Sequence, residues 1–110
     1  MIEPFEIGSG NVFADLGFPP VEAQEEMAKV RLAVAIGDAV KARGLTQAAA
    51  AKLTGESQPN ISMMIGGKLT NFSRGRLEIV LLALGNDVEI IVRPAPRDQE
   101  RGRLTVVAGT

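Results

Sequence analysis

The stretch Thr46–Lys68, TQAAAAKLTGESQPNISMMIGGK, limits what this chain can fold into more than any other. Thr46 precedes an alanine-rich run and can cap it, because a threonine hydroxyl accepts a bond from an orphan N–H at a helix start. Gly55 falls where that first helix must stop and the backbone needs a positive φ, which a residue without Cβ adopts cheaply. Ser57 can cap a second helix, and Pro59 lies in its first turn, where a missing N–H costs nothing. Ile61, Met64 and Ile65 recur at helical spacing and give the second helix one buried face. Small residues at Ala50 and Ala51 let the two helices cross closely.

Two short helices joined by a glycine turn match the helix-turn-helix pattern. Over these 23 residues the chain resembles the Cro and phage-repressor (XRE) type, with Gln47, Ala51, Gly55, Ile61 and Met64 at that family's signature spacings. It departs from the pattern at Thr54, where the family usually has Leu, at Glu56, where an aliphatic residue is usual, and at Gly66, where a basic residue is common. The resemblance implies a mainly α, four-to-five-helix Cro/repressor-like domain.

At 110 residues the chain suffices for one domain with a core. It contains no 18-residue apolar run, so no membrane span is expected, and MIEPFEIGSG has no basic n-region of a secretory signal, which makes the cytoplasm the expected location. Cysteine and histidine are both absent, removing disulfides, thiolate chemistry and the commonest metal ligand and general base. No enzyme activity, metal or cofactor is expected.

The net charge of −1 hides a segregation. Residues 1–37 hold six acids against two bases, residues 38–76 hold six bases against two acids, and residues 77–110 hold five acids against four bases. The basic third carries the motif, which favours an anion such as phosphate on that surface.

Residues 1–20 form an acidic, apolar leader with three of the four phenylalanines. Within it, Ser9–Gly17 followed by Pro19 and a Glu-rich helix start is similar to the leader of a HigA-like antitoxin group of the XRE type, with the similarity running over residues 9–93. That resemblance implies a RelE/HigB-like ribonuclease toxin as partner, engaged through Val12, Phe13, Leu16 and Phe18. If these residues only pad the core, the protein is instead a stand-alone XRE-type regulator. A third reading is a protein-binding module with a degenerate helix-turn-helix.

Residues 21–93 are expected to form the DNA-binding domain. A long helix over Pro20–Arg43 presents Val30, Ala33, Val34, Gly37 and Val40 as its apolar face, with Gly44 ending it. Ser73 caps a later helix, Phe72 before it can pack on Leu77 as a hydrophobic staple, and Leu77, Val80, Leu81 and Leu84 face inward. Arg74 and Arg76 in its first turn oppose the helix dipole, a placement that a bound phosphate would offset. Asp87–Arg93 alternates as a C-terminal β-strand with Val88, Ile90 and Val92 on one face. A lone strand leaves its backbone unpaired; its neighbour is either the same strand of a second subunit, the favoured case, making a homodimer, or Leu104–Val107 folding back. Residues 94–110 read as a tail.

On the DNA-binding reading, the partner is a double-stranded operator and the second helix of the motif enters the major groove. Gln58 and Asn60 are candidates for bidentate bonds to adenine, Met63 for a thymine methyl and Gln47 for a base or phosphate. Thr46, Ser57, Ser62, Lys68 and Arg74 are candidate phosphate contacts.

Overall fold

The computed structural model describes residues 20–109. Among the described residues four helices form the body: α1 (Val21–Ala42), α2 (Gln47–Thr54), α3 (Gln58–Ile65) and α4 (Arg74–Ala83). The leader positions Val12, Phe13, Leu16 and Phe18 lie outside the described residues.

The local start and stop signals act as their chemistry requires. Thr46 Oγ1 accepts from the Ala49 N–H at 3.0 Å, Ser57 Oγ from Asn60 N–H at 3.2 Å and Ser73 Oγ from Arg76 N–H at 3.1 Å, so three of the four helices begin on a hydroxyl cap. Helix α1 starts after Pro20, which offers no side-chain cap. Gly55 ends α2 at φ +81°, and the chain turns directly into α3.

Helix α1 is the scaffold: it packs chiefly against α4 and also against α3, while α2 lies on α3 and touches α4. Leu32, Ile36 and Val40 from α1 meet Ala50 and Ala51 of α2, Ile61 and Met64 of α3, and Leu77, Val80, Leu81 and Leu84 in one core that Leu69 and Phe72 close from the loop between α3 and α4. Each large side chain removed from water here contributes about 1.5–3 kcal/mol. Phe72 and Leu77, the expected staple pair, are both buried.

The inward face of α1 differs from the expected one. Ala33 and Val40 are buried, but Val34 is 56% exposed, Val30 is exposed as well, and the inward stripe is Ala28, Leu32, Ala33, Ile36, Ala39 and Val40. Between Ala28 and Val40 this helix is apolar almost all round, so spacing alone leaves its rotation undetermined, and the grooves of α3 and α4 select it.

The expected C-terminal strand is not borne out within the single chain. No strand forms among the described residues. Of its expected greasy face only Val88 packs against the core; Ile90 is 70% and Val92 90% exposed. Leu104–Val107 does not fold back as its ladder partner: the Leu104 N–H donates to Gln24 Oε1 of α1 at 2.8 Å, and Val106 packs on the core. With that neighbour engaged elsewhere, residues 87–93 have no backbone to pair with among the described residues. The expected tail is thus anchored to α1 at its far end.

Candidate nucleic-acid interface

The site is built around the α2–α3 turn. Gln47 is the first residue of α2 and half-buried; Gln58, the first residue of α3, is exposed; Asn60 is half-buried in the first turn of α3. Ser62 and Lys68 are exposed, and Lys68 directly follows Gly67, which turns the chain out of α3 at φ +82°. Thr46 and Ser57 use an oxygen lone pair to cap their helices, and each O–H remains able to donate to a phosphate oxygen. Met63 is half-buried against the core, which limits how much of it reaches a base.

Glu56, one of the departures from the XRE pattern, occupies the centre of this turn. Its side chain is only 12% exposed. Arg76 grips it with two bonds, Nε donating to Oε2 at 2.9 Å and Nη2 to Oε1 at 2.8 Å, and Asn60 Nδ2 donates to Oε1 at 3.1 Å. The Arg76 bond chiefly holds the Glu56 carboxyl below its usual range; burial opposes that effect, and the Asn60 bond adds to it. Arg76 is correspondingly held above its usual value by Glu56. The Arg76 guanidinium also lies 5.3 Å from the centre of the Phe72 ring, within cation–π range.

Thr54, the second departure, is equally occupied. Its hydroxyl donates to the Ala50 carbonyl at 2.8 Å and accepts from the Glu56 N–H at 3.3 Å, so polar bonds hold the turn where the family usually has an aliphatic side chain.

The two arginines that start α4 are both answered within the chain. Arg74 Nε contacts Glu25 of α1 at 3.1 Å, and its Nη1 lies 3.8 Å from Glu78 one turn on. These carboxylates offset the dipole conflict that pointed to a bound phosphate, and a phosphate reaching Arg74 would compete with both. Sequence reasoning missed the Glu56–Arg76 pair, because the partners stand 20 residues apart; the four-residue spacing of Glu56, in the turn just before the Ser57 cap, and Asn60, in the first turn of α3, was the one local signal. Lys41, Lys52 and Lys68 remain as exposed cations of the basic third.

A helix-turn-helix domain family matches residues 12–93. A solved chain named as a candidate XRE family transcriptional regulator is 42% identical, with a TM-score of 0.74; the match covers 80% of this chain and 99% of that one. No curated protein matches.

Proposed function

We propose, from the premise that this chain belongs to the XRE family of helix-turn-helix transcriptional regulators, that it is a sequence-reading repressor that binds a double-stranded operator as a homodimer in the cytoplasm. The observation that carries this reading is the capped α2–Gly55–α3 unit, which presents Gln58 and Asn60 on the first turn of α3. A helix of this size fits the major groove, where amide side chains can discriminate adenine. Gln47 contributes from α2 and Met63 from its exposed edge. Thr46, Ser57, Ser62 and Lys68 orient the protein on phosphates, and Arg74 serves the fold. No arginine lies between Ser57 and Gly67, so guanine readout by α3 is not expected.

The finer reading is that the repressor is the antitoxin of a type II toxin–antitoxin pair. Its support is the Ser9–Gly17 leader with Val12, Phe13, Leu16 and Phe18. Co-expression with a small basic ribonuclease encoded beside it tests this: a stable complex lost on truncation of residues 1–19 supports the pair, and no complex leaves a stand-alone regulator.

The repressor reading is tested by titrating salt against binding to a duplex from its own promoter and to a random duplex of equal length. Tighter promoter binding that falls steeply with salt supports it. Equal weak binding to both leaves a protein-binding module on a helix-turn-helix scaffold.

A further inference from the structure

We propose that Glu56 is a positioning residue for base readout: its carboxylate fixes which edge of the Asn60 carboxamide faces outward and thereby sets the base that Asn60 selects. The inference rests on Asn60 being a base-reading residue, as proposed above, and deepens that reading.

A carboxamide has two orientations of nearly the same shape, with oxygen and nitrogen exchanged. They present opposite donor–acceptor orders to a base edge, so an amide free to flip reads ambiguously. An ionised carboxylate removes the ambiguity because it only accepts. With Nδ2 3.1 Å from Glu56 Oε1, the bond is made; the inverted amide would set Oδ1 against Oε1, two acceptors with no proton between them. The observed orientation leaves one N–H of Nδ2 and the Oδ1 acceptor uncommitted to Glu56. A donor for N7 beside an acceptor for the N6 amino group is the pattern adenine requires in the major groove.

The carboxylate is itself immobilised. Both oxygens are held by Arg76, whose guanidinium lies over the buried Phe72 ring, and its backbone N–H is bonded to Thr54 Oγ1. Asn60 is tied from its other side, its N–H donating to Ser57 Oγ. Backbone and side chain of Asn60 are therefore ordered before a duplex arrives, which lowers the cost of ordering them on binding. The residue that departs most in polarity from the XRE pattern thus acquires a role in specificity.

The test selects duplexes from a random-sequence pool with the full chain as wild type, Glu56→Gln, Asn60→Ala and the double variant. Gln keeps the shape of Glu56 but can donate as well as accept. Wild type should enrich adenine at one position of each half-site. Glu56→Gln should lower the preference for that adenine about fivefold or more, leave random-duplex affinity unchanged or slightly raised, and add no loss in the Asn60→Ala background. Replacing that adenine with 7-deazaadenine, which lacks the N7 acceptor, should penalise wild type more than Glu56→Gln. Arg76→Lys, which removes the two-pronged grip and keeps Glu56, should show the same loss in weaker form.

A Glu56→Gln chain with the wild-type preference and the wild-type 7-deazaadenine penalty overturns the proposal. So does equal weakening on specific and random duplexes by both variants, or an undiminished Glu56→Gln effect when Asn60 is already alanine. A wild type that enriches no sequence overturns the base-reading function and this proposal with it, whereas a selective wild type with an equally selective Glu56→Gln overturns the proposal alone.

Discussion

Arg43, at the C-terminal cap of α1, donates through Nη1 to the carbonyl of Leu84, at the C-terminal cap of α4, at 3.0 Å. One guanidinium thus pins the ends of the two helices that make the largest contact in the body. The chain turns away just beyond, at Gly85, whose φ is +90°. A Cβ there would stand 3.3 Å from Arg43 Nη1.

Removing this clasp should destabilise the fold without touching the α2–α3 turn. Arg43→Met leaves a largely buried carbonyl without its charged donor, at about 1–3 kcal/mol. Gly85→Ala should cost about 1 kcal/mol or more from the positive φ and should not add fully to Arg43→Met, since part of its cost is the crowding of that arginine. Urea unfolding of both variants and the double checks this; full additivity would show the two to be independent.

The Glu56–Arg76 pair gives a pH dependence with a defined sign. The carboxyl is held below its ordinary value of about 4.5 in the unfolded chain, so its stabilisation is fully present above that value. It is lost as pH falls from there through the lower folded value. The thermal midpoint of wild type should exceed that of Glu56→Gln at pH 7, and the gap should close on acidification below pH about 4. A gap that is constant from pH 7 to pH 3 would mean that the carboxylate charge is not what stabilises the turn.

Asn60→Ala and Lys68→Ala should separate reading from holding. The first should lower discrimination between operator and random duplex by about 1–3 kcal/mol, with the random-duplex affinity little changed. The second should weaken both duplexes alike and reduce the slope of log affinity against log salt by about one. Matching effects of the two substitutions on both duplexes would remove Asn60 from the base-reading set.

Residues 87–93 should pair between two copies. Ile90, Ile91 and Val92 are exposed, and their segment forms no ladder among the described residues. Ile90→Glu together with Val92→Glu should convert a sedimenting dimer to monomer and lower operator affinity, while the helical content and the monomer's unfolding midpoint stay nearly unchanged because neither side chain is in the core. A wild type that sediments as a monomer at tens of micromolar would remove this interface.

The sequence alone determined the unit at the centre of the protein. Thr46, Gly55, Ser57 and Ser73 act through bonds to backbone groups within a few residues, and Leu77, Val80, Leu81 and Leu84 recur at spacings of three and four behind the Ser73 cap and the Phe72–Leu77 pair, which set the inward face although Ile79 and Leu82 on the same helix are apolar and exposed. Tertiary structure decided what depended on distant partners. Helix α1 is apolar on several sides, so packing on α3 and α4 chose its rotation and left Val30 and Val34 outside. Residues 87–93 alternate as a strand should, yet a strand forms only where another backbone is offered, and Leu104 had already bonded to Gln24. The arginines of α4 read locally as a phosphate site; their charges are instead met by Glu25, Glu56 and Glu78, two of them brought near only when the helices pack. Short-range hydrogen bonding is encoded in adjacent residues, whereas the pairing of a charge or a sheet edge depends on what folding brings beside it.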